Sequence, residues 1–460
     1  MSLWLYSLFM GLAQPFLRRK LLRRGVQEPG YLEAIDARFG RYDGTPGLNA
    51  EPAGSAALTP LIWIHAVSLG EVRAAAVLLQ PLRARLPGMR LLLTHGTATG
   101  WAEGRSLLQD GDVQTWQPWD TPACTRRFLV HFKPAIGILM ETEVWPNLTA
   151  ACQKLGVPMV LANARLSEKS LQKAQGLSWL SHPAYARLSA VWAQTQADAS
   201  RLMALGAPVK GVFGNLKFDA APDANQLQKG EAWRSSLDKP VVMFASSREG
   251  EEIDLLVYLK SLSSKTQAGI DVNASNSVAN ELTHVQWLIV PRHPQRFDAV
   301  AGLIAQQGFE VSRRSSWTDA PPHELGSHSR TIWLGDSLGE MPLYYGMSSV
   351  ALLGGSFAAL GGQNLIEAAA CGCPVVMGPH TFNFTQAANL AIQAGAAKRA
   401  DNLSQGVEMA VAIASRANTR QDMSEAATQF ASAHRGAAEQ TVQAVLLELG
   451  WTGVPSGSAG

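Results

Sequence analysis

LIWIHAVSLGE (61–71) is an apolar run that gives way to a helix start, and its reading decides the fold. Continuous apolar runs of this length suit strands covered on both faces. VRAAAVLLQPLRARL (72–86) follows with helical periodicity. MRLLLTHG (89–96) reads as the next strand and TATGWAEGRSLL as the next helix start. AIGILMETE (135–143), VPMVLANARL (157–166), AVWAQT (190–195) and VKGVFGN (209–215) continue the series. Strands alternating with helices predict an α/β domain on a parallel sheet.

A second series begins at PVVMFASS (240–247) and runs through WLIVPRHP (287–294), TIWLGD (331–336), VALLGGS (350–356) and PVVMGP (374–379). At 460 residues the chain exceeds the size at which one core keeps growing, so two domains are expected. The predicted layout is two Rossmann-like domains facing a cleft, over 25–220 and 240–450, joined by a polar linker at 221–239. The Ser/Asn-rich 262–284 and the polar 312–330 read as surface insertions, and 451–460 as a flexible tail. The helical stretch 404–448 leaves open a return to the first domain.

Net charge is +2, too small to argue for a nucleic-acid partner. Cys124, Cys152, Cys371 and Cys373 are scattered, and the lone C-x-C lacks a second pair of zinc ligands, so buried thiols in a reducing compartment are expected. Met1 to Leu17 carries no charge and is followed by Arg18, Arg19, Lys20, Arg23 and Arg24. A helix of that apolar length covers about 25 Å, short of the roughly 30 Å hydrocarbon core. Its charge order is wrong for a secretory signal and would keep the main body cytoplasmic. Residues 1–24 are therefore read as an apolar anchor helix with a basic flank, which spans with strain or lies in the interface. A core helix with a basic solvated end is the alternative.

Polar clusters fall where parallel strands end, the place where such sheets bind ligands. In HAVSLGE (65–71), Glu71 is suited to removing a proton from a hydroxyl. Ser68-x-x-Glu71 is also a capping-box spacing, and a helix N-terminus would hold the carboxyl pKa low. In METEVWPN (140–147), Glu141 and Glu143 directly follow a strand and need partners. Pairing with Arg165 of NARL is the structural alternative. Lys217 of GNLKFD (214–219) offers a point charge for a phosphate or carboxylate, or is simply solvated. Arg292 of VPRHP (290–294) has the fork for phosphate oxygens, or is a surface turn arginine. GDSLGE (335–340) and GGSFAALGGQNLIE (354–367) are the densest pieces. Their glycines allow backbone N–H groups near a ligand, and Asn364-x-x-Glu367 reads as a cap followed by a first-turn carboxylate suited to ribose hydroxyls.

GxGxxG and the P-loop pattern are absent, so a nicotinamide or P-loop enzyme lacks support. Asp110-Gly-Asp112 reads as a surface turn rather than a metal site. No metal and no cofactor are called for.

Taken in order, WIHAVSLGE, THGTATG, METEVWPNL, NARLS, GNLKFD, SSREGEE, PRHPQRF, GDSLGE, GGSF, GGQNLIEA and GPHTFNF resemble the 3-deoxy-D-manno-octulosonic acid (Kdo) transferases of lipopolysaccharide biosynthesis, over roughly residues 61–385. The resemblance implies a GT-B fold with acceptor chemistry N-terminal and nucleotide binding C-terminal. It implies inverting transfer of Kdo from CMP-Kdo to a tetraacyldisaccharide lipid A precursor on the cytoplasmic side of the cell inner membrane. On that reading Glu71 matches the general base, and Glu141 and Lys217 match transition-state positions. Pro291, Arg292, Leu338, Gly339, Glu340, Asn364, Leu365, Ile366 and Glu367 match the CMP contacts. Leu338 is a mild departure from the Met or similar residue that the family usually has there. A phosphate monoester leaving group lets Arg, Lys and helix termini replace a metal. The enzyme alternative is another GT-B protein using a UDP-sugar or a related epimerase; the alternative of another class is a non-catalytic sugar-binding protein.

Overall fold

Strand runs apolar on both faces must be covered on both faces, and the computed structural model shows how the chain does this. It describes residues 2–42, 60–267, 284–318, 320–322 and 331–451, with backbone alone at 2 and 263–267. The chain divides into a first unit, 1–219 with 435–460, and a second unit, 220–434.

The first unit holds β1 (Leu61–His65), β2 (Arg90–His95), β3 (Val113–Trp116), β4 (Ile136–Met140), β5 (Met159–Ala164), β6 (Ala190–Ala193) and β7 (Val209–Val212). They form one sheet in the order β3-β2-β1-β4-β5-β6-β7, with every pairing among the described residues parallel. Alternation along β1 splits the core. Leu61 and Trp63 pack with Trp116, Phe128 and Phe132 on one face. Ile62 and Ile64 pack on the other with Leu78 and Leu82 of the helix Leu69–Arg85.

That second face is completed from the far end of the chain. Val442, Val445 and Leu446 of the helix Ala437–Glu448 join its core. Asp219 accepts the N–H groups of Gly436 and Ala438 and so caps the returning helix. The expected 240–450 domain is corrected accordingly: 435–450 packs on the first unit, the return left open by the sequence.

The second unit holds β8 (Val241–Ser247), β9 (Gln286–Pro291), β10 (Glu310–Arg313), β11 (Thr331–Leu334), β12 (Val350–Leu353), β13 (Val375–Met377) and β14 (Ala397–Arg399), ordered β10-β11-β9-β8-β12-β13-β14 and again parallel. The expected linker 221–239 instead contains the helix Ala224–Ser236, which packs on the helix Met341–Met347. The expected insertion at 312–330 is corrected at its start, where Ser312 and Arg313 end β10. Most of 262–284, 319 and 323–330 of the second insertion, and the tail from 452, lie outside the described residues.

The helix Ser2–Gln27 is tied inward by two polar side chains and by buried Met10, while several of its large apolar side chains face outward. Tyr6 Oη donates to Asp120 Oδ2 at 2.8 Å, and Ser7 Oγ donates to Asn147 Oδ1 at 2.7 Å. Trp4, Leu8, Phe9, Leu12 and Phe16 are exposed. Among the described residues no helix is long and apolar enough to cross a membrane.

Candidate active site

In the first sheet the strand order reverses between β1 and β4, and ligands collect in the crevice beyond such a reversal. Glu71 and Glu141 are delivered there by those two strands. Glu71 is the third residue of the helix after β1, yet its side chain does not form the reciprocal capping box. Ser68 Oγ donates to Glu71 Oε1 at 3.1 Å, and the Val67 N–H donates to Glu71 Oε2 at 2.8 Å, one residue ahead of the cap. Burial pushes the Glu71 carboxyl up to about 7, aided by the charges of Glu141 and Glu143 and opposed by those two hydrogen bonds. Desolvation thus outweighs the two hydrogen bonds that favour the ionised form.

Glu141 leaves β4 in the left-handed region at φ 59°, where a non-glycine residue costs about 1 kcal/mol or more. Its N–H bonds the Ala162 carbonyl at 3.0 Å and its carbonyl accepts the Arg165 N–H at 3.2 Å. The side chain is 4% exposed. Arg165 Nε lies 2.7 Å from Oε2 and Lys217 Nζ 3.4 Å from Oε1. The structural partner expected for Glu141 and the expected site lysine therefore meet on one carboxylate.

NARL does two jobs here. Arg165 reaches Glu141, while Asn163, at φ 52°, accepts the Leu216 N–H at 3.1 Å through Oδ1 and so fixes the turn that carries Lys217. Asn163 was passed over as a site residue. Its signal was an asparagine at a strand end, the residue type most tolerant of the left-handed region. Glu143 is half-buried, and burial raises its pKa. Asp112 accepts the Leu91 N–H at 2.7 Å and pairs with Arg83.

The second sheet reverses between β8 and β12. Here two of the glycine-loop N–H groups expected near a ligand, those of Gly355 and Ala358, are taken by Glu251. Its Oε2 accepts from Gly355 at 2.8 Å and Arg248 at 3.0 Å, and its Oε1 from Ala358 at 3.1 Å. The SSREGEE segment thus supplies an internal anion where the sequence reading placed a ligand.

Basic groups gather beside it. Arg292 follows buried Pro291, bonds the Ser247 carbonyl through its N–H at 3.0 Å, and donates from Nε to Gln363 Oε1 at 3.1 Å. Burial lowers the His293 pKa, and the charges of Arg248, Arg292 and Arg296 add to it. In the turn after β11, Glu340 Oε1 accepts from Arg314 Nη2 at 2.8 Å and Oε2 from Ser337 Oγ. Gly339 is left-handed at φ 78°, and Leu338 is 74% exposed at the tip. Arg314, assigned by sequence to a surface insertion, is thus the residue that pins Glu340. Asn364 Oδ1 caps the helix Leu365–Ala370 by accepting the Ile366 N–H at 3.2 Å. The Leu365 and Ile366 side chains are buried, which leaves their backbone for any ligand contact. Buried Tyr345 lies in the fields of both Glu367 and Arg292.

The raised Glu71 pKa fixes the sign of a stability change. Unfolded, this carboxyl titrates near 4.5; folded, it holds its proton up to about 7. Its contribution is therefore lost as pH rises between those values, and ionised Glu71 destabilises the fold above them. Glu71→Gln is expected to raise the melting temperature at pH 8 and change it little at pH 4.5. A lower melting temperature at pH 8 would contradict the desolvated carboxylate.

Residues 33–220 match the family described as 3-Deoxy-D-manno-octulosonic-acid transferase (kdotransferase). A 3-deoxy-D-manno-octulosonic acid transferase of Bordetella pertussis is 43% identical over 449 residues, covering 96% of this chain and 98% of that one. One from Haemophilus influenzae is 29% identical, covering 95% and 96%. Among solved structures, a putative UDP-N-acetylglucosamine 2-epimerase from Listeria monocytogenes superposes with a TM-score of 0.54 at 12% identity, covering 86% of this chain and 98% of that one. That likeness shows the fold, a GT-B architecture, and nothing of the substrate. On the Bordetella relative, whose identity runs along almost the whole length of both proteins, the chain belongs to the 3-deoxy-D-manno-octulosonic acid transferase family.

Proposed function

We propose that the chain transfers Kdo from CMP-Kdo, with inversion, to a hydroxyl of a tetraacyldisaccharide lipid A precursor. The observation that carries this reading is Glu71: a half-buried carboxylate, raised to about 7, beside a second carboxylate that holds both an arginine and a lysine. A base needs a pKa near the working pH, and Glu71 has one. Glu71 takes the proton of the acceptor hydroxyl as that oxygen bonds to the anomeric carbon. The bond from that carbon to the CMP phosphate oxygen breaks, and CMP leaves with the electron pair. Lys217 and Arg165, balanced by Glu141, stabilise charge on the sugar. Arg292 and its neighbouring guanidinium groups receive the monoester, the Leu338–Glu340 turn and the Asn364–Ile366 backbone hold the nucleoside, and Glu367 takes the ribose hydroxyls.

The test is direct. Purified protein incubated with CMP-Kdo and the lipid precursor is expected to give Kdo adducts by mass spectrometry. Glu71→Ala is expected to lose at least a hundredfold in rate, within the range that general bases supply, while CMP still protects it from heat. Transfer by that variant within tenfold of wild type would remove the base assignment. Protection by UDP in place of CMP would move the donor reading to the UDP-sugar alternative.

Membrane association belongs to the same proposal. The helix Ser2–Gln27 presents Trp4, Leu8, Phe9, Leu12 and Phe16 outward while Tyr6 and Ser7 hold it to the body, the orientation of a helix lying in an interface. Arg18, Arg19, Lys20, Arg23 and Arg24 suit anionic headgroups at the cytoplasmic side of the inner membrane. Phe9→Glu with Phe16→Glu is expected to abolish co-sedimentation with vesicles of phosphatidylethanolamine and phosphatidylglycerol. Unchanged sedimentation would exclude this helix as the anchor.

A further inference from the structure

THGTATG (94–100) lies at the end of β2 and next to the base, and no step above uses it. Its histidine grips the peptide that grips Glu71. The Ala66–Val67 peptide donates its N–H to Glu71 Oε2 at 2.8 Å, and the carbonyl of the same peptide meets His95 Nδ1 at 3.0 Å. A carbonyl only accepts, so Nδ1 carries the proton. Nε2 must then accept, and it faces Gln114 Nε2 at 2.9 Å. That amide is oriented independently, because the same nitrogen also donates to the Trp101 carbonyl at 2.8 Å. One direction of donation therefore runs unbroken from Gln114 through His95 and the peptide to Glu71.

Three further features keep the relay in place. A Cβ on Gly104 would come within 2.5 Å of His95 Nε2 and 2.8 Å of Gln114 Nε2, so glycine alone leaves room for the pair. The Val67 carbonyl, in the next peptide, accepts from Gly96 N at 3.3 Å, Thr97 N at 3.1 Å and Thr97 Oγ1 at 2.8 Å. His95 is fully buried, and burial lowers its pKa to about 4, with the Arg38 charge acting in the same direction. His65 beside it is held lower still, at about 3, by burial and by His95 and Arg38. The imidazole is thus a neutral dipole across the range in which Glu71 titrates.

We infer that His95 is a positioning residue for the reaction: through the Ala66–Val67 peptide it holds an N–H on Glu71 Oε2 and sets where that base titrates. This rests on the reading of Glu71 as the base. The charged groups facing Glu71 are Glu141 and Glu143 from the turn after β4, with Arg165 and Lys217 on Glu141; the charged group facing His95 is Arg38, and the titratable His65 beside it is neutral. Losing the peptide N–H removes a hydrogen bond that favours the ionised carboxylate, so the Glu71 pKa rises.

The experiment compares pH profiles of kcat for Kdo transfer in wild type, His95→Leu and His95→Asn. Leucine cannot donate, whereas the asparagine amide places a donor near the Nδ1 position. The acid limb of His95→Leu is expected to move up by about one pH unit, the worth of one charge-assisted hydrogen bond, so that its loss is roughly fivefold at pH 7, approaches roughly tenfold at lower pH and largely recovers at pH 8.5. His95→Asn is expected to keep the wild-type midpoint, and CMP binding is expected to be unchanged in both. A loss uniform in pH, or the same midpoint in both variants, would overturn the inference. Glu71→Gln run alongside separates the two readings: if it turns over normally, the base assignment fails; if it is dead while the His95 profiles coincide with wild type, the positioning role alone fails. Should both His95 variants misfold, nitrogen-15 histidine spectra of the wild type decide. A neutral Nδ1–H tautomer that does not titrate between pH 5 and 8 is expected, and an Nε2–H tautomer would overturn the relay.

Discussion

Burial without a counter-ion sets the chemistry of the first unit. Two carboxylates arrive at the reversal between β1 and β4, and they are treated oppositely. Glu141 is nearly sealed from water and receives both Arg165 and Lys217. Glu71, half-buried, has hydrogen bonds from Val67 and Ser68 but no ion pair among the described residues. A carboxylate shut from water with only neutral donors holds its proton longer, and the neighbouring negative charge strengthens the effect. Two groups of one chemical kind are thus set apart, one held in two ion pairs and the other holding its proton longer.

The backbone is arranged around that difference. Glu141 and Asn163 both stand in the left-handed region at the ends of adjacent strands. Such conformations persist only where surrounding bonds over-determine them, and here the sheet's last hydrogen bonds and the Asn163–Leu216 contact do so. In the second unit the same topological position is used differently. Glu251 is bound into the loop after β12 by backbone N–H groups, and Arg292 bonds Gln363 of the same loop.

Much of this was legible in the sequence, for identifiable reasons. The central strands announced themselves because burial on both faces demands unbroken apolar runs. β3, β10 and β14 did not, because each is a short strand at a sheet edge with fewer apolar constraints; β10 reads Glu-Val-Ser-Arg. Glu71, Glu141 and Lys217 were visible as polar residues at strand ends. Arg165 was visible as a possible partner of these carboxylates, but Asn163 and His95 were not, since they act across strand pairs that only the sheet order brings together. The return of 437–448 was left open because an amphipathic helix records that it covers a core, not which one. The part played by Glu251 was not legible, because a glycine loop looks the same in sequence whether its N–H groups meet a ligand or a side chain.

The account depends most on where Glu71 ionises. Carbon-13 labelling of the glutamate carboxyls, with Glu71→Gln to assign the signal, allows its titration to be followed directly in the folded protein. The account requires a midpoint near 7. A carboxyl that titrates at its ordinary value near 4.5 would be too weak a base for the proposed chemistry and would contradict the central claim.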